Sequence, residues 1–563
     1  MKRLCFTLLA LICLLPNIWA DSIFVVSDIS YKTIDETSVM VCMRDCSCSA
    51  QTFKGSVLNI PAFINHEGKT YKVSRIGKGA FAKCSGIKRV IIGNGIEEIQ
   101  YAAFESCANL EEIIIPESVR VLGDNLFSFC LNLSSIKVDK NNKIFDSRED
   151  CNAIIRKRDN TLLFGCKNTK IPSSVKCISG FAFYGCLIES VIIPNGVERI
   201  RKYAFCECPF LKSVIVSSTV EQIDMPSFWG CCNISSISVE KNNQTYDSRN
   251  CCNAIIDKEA GMLVLGCSST TIPNSISEIG EFAFFGAANL HYINIPEGIT
   301  TIKDCAFYRC SALKRVSLPS TLEYFDGHTH FGHCVSLDSV TIPQYIKELP
   351  NDLFMGCVSL QTVNVDSKNT VYDSRCNCNA VIQTKNEELV VGCKGSVIVD
   401  GVKSIGGNAF FRSGITSVHI PASVVDIDST AFRSCELCKV ITVDKNNKHY
   451  KSDGTNTIVD KRNNKLILAC STSTIGSGVT SIGSYAFVST SEVLILPFGI
   501  RKIDGCAFVD CKNLCSIFIP ATVKYIGRYA FAGCIQLSNA IIMADKVMID
   551  KDAFSGCPVY EKK

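Results

Sequence analysis

The sequence lacks a charge bias, a long internal apolar run and the common catalytic signatures. Its 58 basic and 54 acidic residues nearly cancel, leaving a formal net charge of +4. No strong overall field therefore calls for nucleic acid or an anionic lipid surface. Charged residues make up only 20% of the chain and hydrophobic ones 47%, which argues against disorder and for an ordered, core-rich protein. Beyond the first twenty residues no segment is apolar enough to cross a bilayer. There is no G-x-S-x-G elbow, no phosphate-binding G-x-x-x-x-G-K-[ST] and no dinucleotide fingerprint. "HEGKT" at His66 and Glu67 starts like a zinc-protease helix, but no second histidine follows four residues later. Acidic residues are spread out rather than paired, as on solvated faces. The expectation is a protein that is not an enzyme and uses no cofactor.

What is present begins with a leader. "MKRLCFTLLALICLLPNIWA" has a basic start, an apolar run and a small residue at Ala20, the pattern of a secretory signal peptide cleaved after that residue. A lipoprotein reading through Cys13 is disfavoured by bulky Ile12, where a small residue is wanted. The rest is repetitive. The frame A-F-x-x-C-x-x-L-x-x-V-x-I-P-x-x-V-x-x-I recurs with phenylalanines at 81, 104, 127, 183, 205, 228, 284, 307, 331, 354, 410, 432, 487, 508, 531 and 554. Most neighbours are 21 to 24 residues apart. In "LEEIIIP", Ile113 and Ile115 share one face of a short strand, and Pro116 ends it. A unit this short cannot bury its apolar side alone, so successive coils must stack.

Four gaps are 55 or 56 residues long and carry related inserts, such as "VDKNNKIFDSREDCNAIIRKRDNTLLFGC". Two apolar runs around a polar turn predict a β-hairpin protruding from a long coil, followed by a strand such as "TKIPSSV". The frame, together with "YDSR…CNAI…GC", resembles the BspA-like leucine-rich repeats of bacterial surface antigens. "TFKGSVLNIPAFINHEGKTYKVSRIG" is similar to the N-terminal cap of that family. The resemblance implies a leucine-rich-repeat solenoid: a curved right-handed coil with one parallel β-sheet on the concave face, four β-hairpin inserts and a β-rich cap. The expected organisation is a signal peptide at 1–20, a cap region at 21–75 and a solenoid over 76–557. Inserts fall near 136–175, 237–276, 363–399 and 440–475, and a short tail over 558–563. The resemblance further implies an extracellular binding or adhesion protein, with no catalytic residues to carry over.

Thirty-four cysteines in an exported chain suggest a disulfide framework, but the pattern argues otherwise. Thirteen hold the A-F-x-x-C position, and Ala287, Ser413 and Thr490 fill the same place. Small size is what these share, so the cysteines read as small groups packed in a column. The insert pairs Cys151/Cys166, Cys252/Cys267 and Cys378/Cys393 could close hairpins, yet Thr455 replaces the first member of the fourth pair while Cys470 stays. "CMRDCSC" groups Cys42, Cys46 and Cys48 without a second pair at zinc-ligand spacing. "DGHTHFGHC" gathers His328, His330 and His333, three of seven histidines in the chain. On the repeat frame, His330 takes the alanine place and points inward, His333 faces water, and His328 sits in a loop one residue longer than its neighbours. No metal site is expected. Asp139, Asn141, Asn142 and Asp146 could offer oxygens to calcium; the preferred reading is turn formation, with Arg148, Arg249 and Arg375 paired to Asp146, Asp247 and Asp373.

The central residue of V-x-I points away from the core. Candidate ligand contacts on this face are Ile91, Ile114, Ile192, Ile215, His419 and Phe518, with Tyr292 and Arg315 just before the first strand residue. Apolar stripes on an open sheet mark contact surfaces, although isoleucines shielded by neighbours would give the same pattern. The sequence thus points to a secreted or cell-surface protein that binds host or neighbouring-cell macromolecules, with an extracellular protein or glycan as ligand and no nucleic acid. The alternative is a structural or envelope-associated scaffold without a specific host ligand.

Overall fold

The computed structural model describes residues 23–43, 53, 55–452 and 454–559. The expected leader, Cys46 and Cys48 of the cysteine-rich cap segment, and residues 560–563 of the tail lie outside the described residues. The chain divides into two compact units, Met1–Asp247 and Ser248–Lys563. Each is a β-solenoid of stacked parallel coils, and the described helical structure is limited to three-residue turns such as Arg148–Asp150 and Arg375–Asn377.

Most described coils contribute two strands. The V-x-I residues form one, as in Arg89–Ile92 pairing with Glu112–Ile115 and that with Ser135–Val138, all parallel. The V-x-x-I residues form a second ladder of two-residue strands, for example Arg199–Ile200 against Gln222–Ile223. Alternation puts Val90, Ile113, Ile115 and Ile136 inside, each nearly or fully buried. Between the two ladders runs the A-F-x-x-C turn. Its phenylalanine rings stack along each unit: Phe183 on Phe205 at 4.9 Å and 10°, Phe284 on Phe307 at 4.9 Å and 9°, Phe508 on Phe531 at 4.8 Å and 6°. Such stacks add to the area that each ring buries.

The expectation of one continuous sheet is not met. Among the described residues the V-x-I strands form five separate sheets, two in the first unit and three in the second. Each of the first four ends where an insert begins. The inserts are antiparallel hairpins, with Ala153–Arg156 against Thr161–Gly165 in the first, but they do not protrude. Ala153, Ile154, Ile155 and Leu162 are completely buried, and Thr161–Leu162 pairs parallel with Cys177–Ile178 of the second ladder. The hairpin is thus built into the stack in place of a coil. All four hairpins carry a register shift at the same place, between Ile154 and Ile155 in the first. That bulge re-aims one side chain, so two successive residues of "NAII" can both face the core. "TKIPSSV" forms no strand; Lys170 N–H is already bound to the Cys151 carbonyl at the hairpin base. The glycine of each "GC" is explained by close approach. A Cβ on Gly165, Gly266 or Gly392 would lie 2.2 to 2.3 Å from the ring of Phe183, Phe284 or Phe410.

The first unit opens on a meander, Ile23–Val26, Ile29–Thr33 and Ser38–Val41, whose last strand pairs parallel with Lys69–Ile76. Tyr31, Val39 and Val41 bury themselves on the first coil, so these earlier residues cover it. The segment "TFKGSVLNIPAFINHEGKTYKVSRIG" already belongs to the ladders through Val57–Ile60 and Lys69–Ile76.

Candidate ligand-binding face

The inward half of the repeat is chemically closed. In each described coil that directly follows another, the repeat cysteine donates to the carbonyl of the repeat phenylalanine one coil earlier. Cys107 reaches Phe81 at 3.1 Å, Cys208 reaches Phe183 at 3.1 Å and Cys334 reaches Phe307 at 3.2 Å; the same bond recurs up to Cys557 on Phe531 at 3.0 Å. Ala287, Ser413 and Thr490 each stand in the first coil after an insert, where no repeat phenylalanine lies directly beneath. The column therefore selects a donor as well as a small residue, and that placement of the three substitutes was the sequence signal. Burial pushes the thiols of Cys107, Cys435 and Cys511 up to about 12, so they are neutral and poor nucleophiles. The insert cysteines are free as well. Cys166, Cys267 and Cys393 donate to the carbonyls of Asn152, Asn253 and Asn379 at 3.4, 3.5 and 3.2 Å.

The insert asparagines are equally committed. Asn142 is fully buried; its amide donates to the Pro116 and Val119 carbonyls and its oxygen accepts from the Ile144 and Phe145 N–H groups, all at 2.9 Å. Asn243, Asn369 and Asn447 repeat this arrangement within their own inserts. Asn142 thus serves as a staple between coils, with its donors and acceptor used. Asp146 takes Arg148 at 2.8 Å and Asp373 takes Arg375 at 2.7 Å. In the fourth insert the fork is rebuilt at the hairpin turn as Asp460 with Arg462 at 2.9 Å.

The three clustered histidines go separate ways. His330 is completely buried and its Nε2 lies 3.1 Å from the Asp326 carbonyl. Its own carbonyl accepts from Phe307 N–H as an alanine carbonyl does elsewhere. His328 is exposed, 3.8 Å from Asp352. His333 does not simply face water: it is half-buried, edge-on to Tyr308 at 5.4 Å. Burial lowers the pKa of both His330 and His333.

The outward half is open. Ile91 and Ile114 share the first V-x-I sheet and are directly opposite each other, as are Ile192 and Ile215 on the second. Ile192 is 65% exposed. Tyr292 and Arg315 are paired neighbours on the third sheet. His419 lies on the fourth, with Nδ1 2.9 Å from Thr442 Oγ1, and half-buried Phe518 on the fifth. The eight residues are therefore spread over five sheets, and the two pairs of isoleucines and Tyr292–Arg315 are what the fold brings together.

Around Tyr292 and Arg315 the sheet has a distinct shape. Tyr292–Asn294 pairs with Arg315–Ser317 over three residues and Ser339–Ile342 with Thr362–Val365 over four, but between them the ladder closes only at Arg315 and Ser339. The coil joining these two strands is the one with the extra residue before Phe331. The result is a cleft of about 460 Å³, lined in part by Tyr292, Arg315, Ser317, Ser339, Thr341 and Asp366. Its carboxylates are engaged: both Glu297 oxygens accept from Ser320 or Thr321, whose backbone donors lower its pKa, and Asp366 Oδ1 accepts from Lys368 N–H at 2.8 Å. Among the described residues, no carboxylate forms an ion pair with Arg315, which is left facing Tyr292 and a group of hydroxyls. Sequence reasoning found Tyr292 and Arg315 but missed the cleft; the longer spacing from Phe307 to Phe331 was its signal.

The structure is similar to a leucine-rich repeat protein from Bacteroides ovatus, at 23% identity over 89% of this chain and 95% of that one, with a TM-score of 0.30. It is also similar to the pneumococcal vaccine antigen PcpA, at 16% identity over 76% and 94% with a TM-score of 0.35. A leucine-rich cell surface protein from Faecalibacterium prausnitzii is 18% identical over 93% and 95%, with a TM-score of 0.30. No curated protein matches the chain. The sequence matches the description "BspA type Leucine rich repeat region (6 copies)" over residues 49–152, 163–253, 254–382, 393–454 and 465–562. With most of its length covered by that match, the chain belongs to the BspA-type leucine-rich repeat family.

Proposed function

We propose that this is an exported protein, secreted or displayed on the cell surface, that holds an extracellular protein or glycan on the outward face of its V-x-I strands. In this reading the mature chain starts after Ala20, residues 21–75 form the cap and 76–557 carry the binding array. It acts by complementary shape and charge, without covalent chemistry. The observation that carries it is the open ladder beside Arg315, where an unpaired guanidinium, an exposed tyrosine and several hydroxyls line one cleft. Polar groups converging in a concavity are the general mark of a binding site, and a tyrosine with an arginine is the pairing that dominates binding energy at interfaces. Ile91, Ile114, Ile192, Ile215, His419 and Phe518 would extend the contact along the other sheets. The test is a binding screen of the full-length protein against extracellular-matrix proteins and glycans, repeated with Tyr292→Ala and Arg315→Ala. Ligands that lose about tenfold or more in affinity support the reading; ligands that bind both variants as well as the parent overturn it.

A scaffold role is favoured by a different observation. The last described coil leaves Ile541, Met543 and Met548 exposed at 47%, 48% and 67%, and its strands Asn539–Ile542 and Met548–Ile549 pair on one side only among the described residues. Concentration-dependent self-association abolished by Ile541→Lys would support that role.

A further inference from the structure

A second cleft, in the first unit, lies away from the V-x-I face. It holds about 370 Å³ beside the second ladder strand Val121–Leu122 and the first insert. Four cations surround it: Arg120, Lys143, Arg156 and Arg158. Two of them share Asp159, which Arg156 engages through two nitrogens at 2.8 to 3.1 Å and Arg158 approaches at 3.7 Å, while Arg120 acts on Glu97 only through space, Glu97 being held by Lys72 at 2.6 Å. The Arg156 contact pulls the Asp159 pKa down to about 2, so the carboxylate is ionised and consumed locally. Arg120 and Lys143 have no ion-pair partner among the described residues, and both are exposed. The floor is apolar, made by Leu122, Ile144, Phe145 and Leu163.

The fold does not require this charge. At the positions equivalent to Arg120, Lys143, Arg156 and Arg158, the second copy of the repeat has Glu221, Gln244, Asp257 and Glu259. The third has Lys347, Thr370, Gln383 and Lys385, and the fourth Val425, Lys448, Asp460 and Arg462. Asn142 and the buried hairpin are retained in all four, so the scaffold tolerates either sign at these places. In a chain whose total charge is only +4, a cleft lined by four cations and no carboxylate is a local excess that the other copies of the repeat do without.

We propose that this cleft binds an anionic amphiphile, with a phosphate-type headgroup at Arg120 and Lys143 and its first carbons on the apolar floor. Cations at a concavity raise the local concentration of anions, and arginine matches phosphate geometry with paired donors. An inorganic anion would leave the apolar floor unused. A sulfated sugar would find few acceptors for its hydroxyls, because Asp159 is occupied, and no open aromatic face, because Phe145 is buried. The site is independent of the V-x-I face and stands whether or not that face binds.

The probe is n-octyl phosphate below its micelle concentration, titrated calorimetrically into the full-length protein. Inorganic phosphate, octyl glucoside and a heparin oligosaccharide serve as comparisons. Octyl phosphate should bind more tightly than inorganic phosphate or octyl glucoside. Arg120→Ala and Lys143→Ala, both at exposed positions, should each weaken it about tenfold, and Arg120→Glu with Lys143→Glu should abolish it. Raised salt should weaken it further. Octyl phosphate binding no better than inorganic phosphate, or unchanged in the charge-reversed variant, overturns the proposal; so does a preference for heparin.

Discussion

The two V-x-I sheets of the first unit and the third sheet, in the second unit, cover the same buried repeat and display different surfaces. In the first unit the V-x-I face carries exposed isoleucines, Ile91, Ile114, Ile192 and Ile215, and its cations are neutralised in place. Glu112 receives Arg89 at 3.1 Å and Lys137 at 3.6 Å across adjacent coils. In the second unit the third V-x-I sheet is polar. Arg315 stands between Tyr292 and Ser339 in register, with no carboxylate at the place Glu112 holds in the first unit. Beneath both faces lie the same stacked phenylalanines and the same thiol-to-carbonyl bonds. The lesson is a division of labour within the repeat: inward positions are fixed by packing, while outward ones can change charge and polarity at little cost to the fold.

Equality of the two cores is the strongest claim in that comparison, and it is tested by the largest effect. Phe104 and Phe307 are each fully buried and stacked on both sides. Phe104→Ala and Phe307→Ala should each cost about 3–5 kcal/mol, as for a buried aromatic replaced by a cavity. Denaturant titration of the two variants should give losses that agree within about 1 kcal/mol. A much smaller loss in one unit would mean that its core is organised differently.

A smaller effect separates the units by pH. The buried His330 belongs to the second unit, and desolvation lowers its pKa despite the opposing pull of the Asp326 carbonyl and the carboxylates of Asp304 and Asp352. The sign follows directly. The folded state keeps the ring neutral, while the unfolded chain takes a proton below about pH 6.5. Stability is therefore full above that value, falls as pH drops through it, and levels off once the folded-state pKa is passed. Thermal melts between pH 7.5 and 5 should show this slope, and His330→Ala, which restores the residue used elsewhere in the frame, should reduce it, leaving the part that His333 contributes. An unchanged slope would assign the pH dependence to other groups.

Much of this was legible from sequence because the repeat copies itself. The phenylalanine column, the strands at V-x-I and the hairpins at "NAII" and "TLLFG" follow from periodicity. What escaped were features that depend on neighbours in the stack. That hairpins replace a coil could not be seen from "NAIIRKRDNTLLFGC" alone, because strict alternation would turn one of Ile154 and Ile155 outward, and only the bulge between them lets both be buried. The donor role of Cys208 needs the Phe183 carbonyl beneath it, and the fully bonded Asn142 needs two carbonyls from the preceding coil. The break in the sheet follows from the same cause: an insert occupies the place of the next V-x-I strand. On the candidate face, residue type pointed to Tyr292 and Arg315, but the cleft beside them arises from a single extra residue further along the coil.

The smallest effect bears most directly on the outward surfaces. If the face of the first unit is internally balanced, Glu112→Gln should cost about 0.5 kcal/mol or less, the usual worth of partly exposed ion pairs. That loss should fade as salt is raised. Arg315→Gln should cost nothing measurable, because no described side chain depends on its charge, while ligand capture on that face should fall. That pair of results would fit an arginine held for something outside the chain, in a repeat whose other copy neutralises the equivalent cation. Should Arg315→Gln destabilise the protein as much as Glu112→Gln does, the guanidinium would be a structural group, and the contrast between the two faces would lose its functional meaning.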